Sequence, residues 1–418
     1  MTATRPRKLI LFVNALVTGH HEAAWRLPSA EPERLRDLRY YQSLARTAEE
    51  GGFDAMFVAD FFVFYPGVAH SPRWELDPLT LLAGVAQATR HLGLIATASA
   101  TFGEAGELAR SFATLDQLSR GRAAWNIVTN GEPQAAANYG QDAPIPHGER
   151  YARGDAVVRS VLAHWRNAHA GNGMPPPVQP RPVLVQAGSS EQGRDFAARH
   201  ADVVFTAQPT LAAGQAFRAD LRQRAQAHGR SPDSIKVIPG ISPSLAHTDG
   251  AAAARKQRLD ALISPEASLG WLAGFGIDLS GHSLDGPLPA FLGDLSAFEG
   301  IKSRYGVITE LIKQHRPASI RALLHLLAGS RGHASFTGTP RALAAHMTQW
   351  FDAGAADGFM LMPHAFPDDL AFFVEEVSPL LRRAGLIPAQ QSQPGTLRER
   401  LGLPACALPS HFHTKETT

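Results

Sequence analysis

The alternation of two kinds of apolar pattern is the feature of this chain that most constrains its fold. Short runs of β-branched and other apolar residues alternate with longer patterns rich in Ala, Leu and Arg, which are typical of amphipathic helices. Eight of the short runs predict strands, at residues 9–15, 54–59, 92–98, 123–129, 183–187, 202–207, 235–241 and 358–362. Because strand–helix alternation builds a parallel sheet, eight units predict an α/β fold, a closed (β/α)₈ TIM barrel.

An open, doubly wound sheet would show the same alternation and is the alternative architecture at this point. The dinucleotide-binding version of that sheet is disfavoured, because no Gly-x-Gly-x-x-Gly follows the first predicted strand.

The domain organisation follows from where the alternation is interrupted. We assign residues 1–386 to a single barrel and 387–418 to a C-terminal tail, which is expected to lie over the surface. Residues 263–338 separate the seventh unit from the eighth strand and contain Gly/Pro-rich turns and an apolar helical pattern near 318–328. This segment is too long for an ordinary loop. We therefore predict an insertion before the last strand that forms a subdomain or lid.

The composition excludes several classes of protein. The net charge is +2 and the basic residues are scattered, so no nucleic-acid partner is expected. The chain lacks an apolar stretch of membrane-spanning length and the apolar core of a signal peptide, so we expect a cytoplasmic protein without a membrane partner. The sole cysteine, Cys406, excludes an intramolecular disulfide and a cysteine-based metal site. His20 and His21 are adjacent and lack a suitably spaced third ligand, so no metal is expected.

The segment Val183–Arg194 passes from a predicted strand through Gly188 and two serines into a predicted helix. Two interpretations fit this pattern. Ser189 could cap the helix, with Gln192 completing a capping box. Alternatively, the unpaired N–H groups and positive dipole end of the helix could hold a phosphate, which Gly188 would allow to approach the backbone.

Polar residues follow several of the predicted strands, at the end of a barrel where functional residues gather. These candidates are His21, Asp60, Ser99, Thr101, Asn126 and, in the fourth connection, His147 and Tyr151. Several also have a structural interpretation: Asp60 suits a turn cap, Ser99 suits a strand, and backbone groups could satisfy Asn126. His147 could simply start a helix, and Tyr151 could be a half-buried aromatic residue. The sequence contains neither a Gly-x-Ser-x-Gly elbow nor the context of a catalytic cysteine. A cofactor is therefore expected to perform the chemistry.

Several motifs, in order along the chain, resemble the bacterial luciferase-like flavin monooxygenases. The segment LSRGRAAWNIVTN, residues 118–130, is similar to a strand-four signature of one branch of this family. That branch contains nitrilotriacetate, EDTA, dibenzothiophene-sulfone, pristinamycin and long-chain alkane monooxygenases. Further similar segments are Gly19–Arg26, His147–Tyr151, Gln186–Ser190, Asp278–Pro289, Asp352–Phe359 and Thr396–Leu403. The resemblance spans roughly residues 8–404.

The resemblance implies the oxygenase component of a two-component monooxygenase. Such an enzyme takes reduced FMN from a separate NAD(P)H:flavin reductase, and a peroxyflavin formed with O₂ oxidises a small to medium organic substrate. The matched positions imply that Asp60, Ser99, Thr101 and Asn126 lie near the isoalloxazine and ribityl groups. They also imply that His147 and Tyr151 approach the ribityl chain or phosphate, and that Ser189 and Ser190 hold the phosphate. His21 is the one candidate for a catalytic side chain, and we expect a homodimer or homotetramer.

Three segments depart from the family pattern on the side where the substrate is expected. The connector 167–182 and the aromatic segment 60–74 are shortened, and Met362-Pro-His364 replaces the usual Met-Pro-Pro. Ala100 also stands where relatives usually have a hydroxyl, which leaves the flavin contact of the third strand open between neighbouring residues. A deazaflavin (F420)-dependent oxidoreductase of the same superfamily and a non-catalytic flavin-binding protein are the alternative functions.

Overall fold

The computed structural model of the protein describes residues 8–63, 72, 76–131, 133–171, 173–188, 190–273, 276–293, 302–388 and 395–404. The strands are β1 (Ile10–Asn14), β2 (Ala55–Val58), β3 (Gly93–Ser99), β4 (Ala123–Val128), β5 (Val183–Gln186), β6 (Val203–Thr206), β7 (Lys236–Leu245), β8 (Ala334–Gly338) and β9 (Gly358–Leu361). All pairings are parallel, and β1 pairs with β2 on one side and β9 on the other. The strands β1 to β7 and β9 therefore form a closed ring. The predicted (β/α)₈ barrel is confirmed, and the open doubly wound sheet is wrong.

Helices follow the strands around the outside of the ring. The α-helices are α1 (Leu38–Gly51), α2 (Pro78–Ala86), α3 (Ala105–Leu118), α4 (Pro133–Asn138), α5 (His147–His169), α6 (Glu191–His200), α7 (Leu211–Ala227), α8 (Asp249–Asp260), α9 (Pro265–Ala273), α10 (Lys302–His315), α11 (Ile320–Ala328), α12 (Pro340–Asp352), α13 (Asp368–Phe372), α14 (Ser378–Arg383) and α15 (Leu397–Arg400). Short 3₁₀ turns lie at Ala24–Arg26, Pro32–Arg36, Pro232–Ser234 and Ala290–Gly293, and Phe373–Val377 is a π-helical turn.

Strand β8 lies outside the ring and was absent from the sequence prediction. It pairs with the end of β7, where Ile241 faces Ala334 and Leu245 faces Gly338. Neither segment forms the run of apolar residues from which the strands were predicted. β8 has Phe336 as its one large apolar side chain, and β7 continues beyond its predicted end through Ser242-Pro-Ser244. A strand added at the edge of a barrel needs only one buried face, so its sequence carries a weak signal.

The core has two layers. Side chains inside the ring, such as Phe12, Phe57, Ile95 and Met360, form one buried cluster. A larger cluster fills the space between the outer face of the strands and the helices. Alternation of side chains along each strand produces both layers, which explains why the strand sequences are apolar almost throughout.

The C-terminal segment closes the amino-terminal end of the barrel. Leu397, Leu401 and Leu403 are less than a tenth exposed and belong to the same cluster as the residues inside the ring. The expectation that the tail lies over the surface is therefore wrong for residues 395–404, because these leucines are needed to cover the open bottom of the ring. The rest of the tail after Pro404 lies outside the described residues.

The insertion before the last barrel strand carries its own hydrophobic cluster. Leu272, Ile308, Leu323 and Leu327 pack together with Ala23 from the loop that follows β1. Its role as a lid stays a prediction. None of the helices in the described parts of the chain combines the length and the apolar character needed to span a membrane.

A cavity of about 600 Å³ lies at the amino-terminal end of the barrel, where Asp54, Lys236, Asp357 and Arg400 contribute to its walls. Some of its charges are paired, as in the two hydrogen bonds of 3.0 Å from Arg218 to Asp357. Asp54 is different, because burial raises its pKa to about 6 against the opposing effects of the Leu11 N–H and the Arg400 charge. This cavity lies at the opposite end of the barrel from the candidate functional residues.

Asp54→Asn is expected to stabilise the folded protein above pH 6 and to have little effect near pH 4. The wild-type carboxyl is less acidic when folded than when unfolded, so its ionisation destabilises the fold as the pH rises from about 4 to about 6. The asparagine oxygen can still accept the 2.9 Å hydrogen bond that Leu11 N–H donates to Asp54. Urea unfolding at pH 4 and pH 8 should show a gain of about 3 kcal/mol at the higher pH only. Equal gains at the two pH values would refute this explanation.

Candidate functional site

Buried polar atoms without a hydrogen-bond partner gather at the carboxyl ends of the barrel strands. They include Asn14 Oδ1 at the end of β1, Thr101 Oγ1 after β3, Asn126 Oδ1 in β4, and both ring nitrogens of His364 after β9. Each of these side chains is 6% exposed or less. A buried donor or acceptor left unpaired costs about 1–3 kcal/mol, so such a cluster indicates a place where a polar ligand binds.

The side chain of Asn126 is held so that its oxygen stays available. Asn126 faces Thr97 across the β3–β4 pairing, and its Nδ2 donates to Thr97 Oγ1 over 2.9 Å. Thr97 Oγ1 in turn donates to Val58 O over 2.9 Å. The amide donor is therefore used within the barrel and its orientation is fixed, while Oδ1 stays available to a ligand.

Ser99 and Thr101 have different roles in the turn that follows β3. Ser99 Oγ accepts hydrogen bonds from the N–H groups of Thr101 and Phe102, both at 3.1 Å. Its hydroxyl oxygen thus stabilises the turn, and Thr101, whose Oγ1 is buried and unpartnered, is the better placed of the two to contact a ligand.

Asp60 caps a turn after β2. Its Oδ1 accepts from Phe62 N–H over 3.1 Å, and burial raises its pKa although this hydrogen bond opposes the shift. The loop it supports is aromatic and contacts α4, since Asn138 Nδ2 donates to Phe62 O over 2.9 Å. Tyr139 follows α4 and stacks on Phe102 with ring centroids 4.6 Å apart. These rings give the β2–β4 side of the barrel mouth an apolar wall.

Ser190 is the N-cap of α6. Its Oγ accepts from Gly193 N–H over 3.1 Å and lies 3.4 Å from the hydroxyl of Tyr151 on α5. The strand–helix connection is tight, because a Cβ atom at Gly188 would lie 2.9 Å from Gly193 Cα. The cap lies one residue later than the predicted Ser189–Gln192 capping box, since α6 begins at Glu191. Ser189 and the side chain of His147 lie outside the described residues, although the backbone of His147 begins α5.

Arg150 is a candidate that the sequence analysis missed. Its Nε is buried without a partner, and a Cβ atom at Gly131 would lie 1.2 Å from its Nη1. The guanidinium therefore packs against the backbone just after β4. In the sequence, Arg150 directly precedes Tyr151. The sequence could have indicated Arg150 only through its position within His147–Tyr151, one of the segments that resemble the family. Nothing in that segment distinguishes an arginine of the site from one at the surface.

His21 lies in a fixed polar chain on the β1 side of the mouth. Its Nδ1 accepts from Ala23 N–H over 3.2 Å, so Nε2 carries the proton and donates to Asp260 Oδ1 over 3.1 Å. Lys256 Nζ lies 2.6 Å from the other carboxylate oxygen. Burial lowers the pKa of His21 despite the pairing with Asp260, so the imidazole is neutral. Asp260 and Lys256 lie on α8, where charged residues normally face solvent, so no sequence signal distinguishes them from surface residues.

The ring of His364 contacts His21 edge to face, with centroids 5.5 Å apart. Two further histidines lie close by: His20 Nε2 is 3.4 Å from Ser330 O, and the ring of His333 stacks on Phe205 at 4.9 Å. Within the described residues these histidines do not form, with any Cys, Asp or Glu, a group of three that could hold a metal ion.

Comparison with known proteins identifies the class to which this barrel belongs. The family model described as luciferase-like monooxygenase matches residues 15–357, so the chain belongs to the luciferase-like monooxygenase family.

Nitrilotriacetate monooxygenase component A of Aminobacter aminovorans is 37% identical, with 93% of this chain and 94% of that protein covered. N-acetyl-S-(2-succino)cysteine monooxygenase of Bacillus subtilis is also 37% identical, with 96% and 98% covered. The solved structure of DmoA from Hyphomicrobium sulfonivorans is 28% identical, with a TM-score of 0.81 and 94% and 92% covered. The resemblance inferred from the sequence motifs is confirmed, and the chain is an enzyme of the monooxygenase class.

Proposed function

We propose that this chain is the oxygenase component of a two-component monooxygenase. It would bind reduced FMN supplied by a separate NAD(P)H:flavin reductase and, with O₂, oxidise a small to medium organic substrate. The observation that carries the proposal is the convergence of unpartnered buried polar atoms at the carboxyl end of a barrel in this family.

The residues present fit a flavin mononucleotide. At one side of the mouth, the N-terminus of α6 with Ser190 and Tyr151 offers hydroxyl groups and a positive dipole end, which suit a phosphate dianion. Just after β3 and within β4, Thr101 Oγ1 and Asn126 Oδ1 are buried polar atoms that suit the polar edge of a ring system or a ribityl chain. Arg150 directly precedes Tyr151, and its guanidinium adds a positive charge beside the end of β4.

When bound, the reduced flavin would supply the two electrons that activate O₂. The side chains around it would orient the ring and keep water out, because exclusion of water protects reactive intermediates from side reactions. The stacked rings of Phe102 and Tyr139 and the neighbouring loop that Asp60 caps are placed to do this on the β2–β4 side. His21, kept neutral by its burial and held in position by Asp260 and Ala23, would present a fixed imidazole on the opposite side.

The pure protein with FMN and NADH is expected to consume NADH no faster than the blank, because the first strand lacks a dinucleotide-binding fingerprint. Addition of a generic NAD(P)H:flavin reductase under ¹⁸O₂ should then give a product with one labelled oxygen, detected by mass spectrometry over a panel of organic substrates. Rapid NADH oxidation by the pure protein would contradict the two-component assignment. Activity with reduced F420 but not with reduced FMN would favour the deazaflavin-dependent alternative.

A further inference from the structure

His364, in the turn after β9, is a fully buried histidine whose two ring nitrogens have no hydrogen-bond partner. Burial, followed by the nearby His21 and Lys256, lowers its pKa well below the usual value, so the ring is neutral. A neutral imidazole offers one N–H donor and one acceptor. Both are expensive to leave unpaired inside a protein, whereas an apolar ring of the same shape would avoid the penalty.

The described neighbours of His364 form no hydrogen bonds with its ring nitrogens. His21, its edge-to-face neighbour, is engaged with Ala23 N–H and Asp260. On another side lies Gly329, where a Cβ atom would be 2.9 Å from His364 Nε2. The carbonyl of Gly329 accepts a 2.6 Å hydrogen bond from Ser242 Oγ. The polar groups of these neighbours are thus paired elsewhere, and glycine at residue 329, which has no side chain to clash, lets the chain pack close to His364 Nε2.

The position of His364 in the ring separates it from the proposed flavin residues. In the strand order, β9 and β4 are four strands apart in a ring of eight, so the two strand ends face each other across the barrel mouth. The proposed flavin contacts lie on β3, β4 and α6, and His364 lies on the far side with His21. A molecule that reaches His364 is therefore placed opposite the cofactor side, where a substrate is expected.

The charges near His364 favour an oxygen acceptor. The positive charges of Lys256 and Arg255 lie near the ring and help to lower its pKa. Each cation is paired with a carboxylate, Lys256 with Asp260 and Arg255 with Asp369. The nearby carboxylates Asp260 and Asp369 are thus already engaged by these cations, so the His364 N–H has to take its acceptor from a ligand. Two of the relatives at 37% identity are named for nitrilotriacetate and N-acetyl-S-(2-succino)cysteine, and both molecules carry carboxylates.

We propose that His364 is a substrate-binding residue whose N–H donates a hydrogen bond to a carboxylate oxygen of the substrate. This inference rests on the proposed function, and it goes beyond it by assigning a residue and a substrate class.

The first test compares stability without ligand. His364→Phe keeps a buried ring and removes both unpaired nitrogens, so its melting temperature should equal or exceed that of the wild type. His200→Phe is the matched control, because His200 is also buried but lies 2.6 Å from Asp155 Oδ1 and should lose stability when replaced. A loss in His364→Phe as large as that in His200→Phe would mean that the fold itself uses the His364 nitrogens, and would overturn the proposal.

The second test measures binding of a carboxylate probe by anaerobic calorimetry in the presence of reduced FMN. Nitrilotriacetate should bind the wild type, bind His364→Phe at least tenfold more weakly, and recover part of the loss in His364→Gln, which restores a donor. Affinity for reduced FMN should be the same in all three proteins. Absence of nitrilotriacetate binding to the wild type, or equal binding to His364→Phe, would overturn the proposal. Failure of the wild type to bind reduced FMN would instead count against the proposed function, and the stability comparison would still decide the role of His364.

Discussion

Ser190→Ala is expected to weaken binding of reduced FMN by about ten- to a hundredfold and to leave binding of reduced riboflavin unchanged. Riboflavin lacks the phosphate, so the ratio of the two affinities isolates the contact at the start of α6. A hydrogen bond to a charged group contributes about 1.5–3 kcal/mol, which corresponds to this loss in affinity. The Ser190 hydroxyl is well placed for it, because it lies at the helix N-terminus beside the Tyr151 hydroxyl.

Thr210→Ala supplies the matched control for that experiment. Thr210 caps α7, the next helix around the barrel, and its Oγ1 accepts from Ala213 N–H over 3.2 Å, much as Ser190 accepts from Gly193. Both variants should lose about 1 kcal/mol of stability with the cap, but Ser190→Ala alone should lose FMN affinity. If the two variants bind FMN equally well, Ser190 is a helix cap and the phosphate lies elsewhere.

Asp202→Ala is expected to cause the largest loss of stability of any substitution considered for this protein. Asp202 is 2% exposed and accepts two hydrogen bonds of 2.8 Å from Arg181 and one of 2.9 Å from Leu184 N–H. Arg398 of α15 pairs with the same carboxylate. Burial alone would raise the pKa of Asp202, but the charges of Arg181 and Arg398 hold it below its usual value. The carboxylate thus joins the start of β5 to the segment that closes the barrel bottom.

Removing the Asp202 carboxylate would leave two arginines short of their anion in the interior, which costs about 3–5 kcal/mol. Urea unfolding monitored by tryptophan fluorescence measures this loss. The control is Asp233→Ala, because Asp233 is 77% exposed in its pair with Arg222 and should contribute less than about 1 kcal/mol. A loss for Asp202→Ala no larger than for Asp233→Ala would show that the C-terminal segment is not anchored in this way.

The barrel itself could be predicted from the sequence because its strands are buried on both faces and therefore read as continuous apolar runs. Strand β8 could not, because it needs only one buried face and carries one large apolar residue, Phe336. The role of Leu397 and Leu401 in closing the bottom of the barrel was missed for a related reason: two leucines, one at the start of a short helix and one just after it, do not reveal what they cover.

The candidate site could be predicted as a set of positions but not as a set of roles. Asn126 and Ser190 were selected from strand ends and a helix start, and the structure places both at the barrel mouth. The Ser99 hydroxyl accepts hydrogen bonds within its own turn, whereas the Thr101 hydroxyl stays available to a ligand. This difference depends on backbone geometry, which a single sequence does not show. Asp260 and Lys256 reach His21 from a helix distant in sequence, so only the folded chain brings them together.

Anaerobic titration of the wild-type protein with reduced FMN, in parallel with reduced F420, tests the central proposal most directly. Saturable binding of one reduced FMN per chain, at least tenfold tighter than binding of reduced F420, is the expected result. The start of α6 and the buried polar atoms after β3 and in β4 would then have the ligand that their arrangement suits. No saturable binding of reduced FMN, or tighter binding of reduced F420, would contradict the assignment of this barrel as a reduced-FMN-dependent oxygenase.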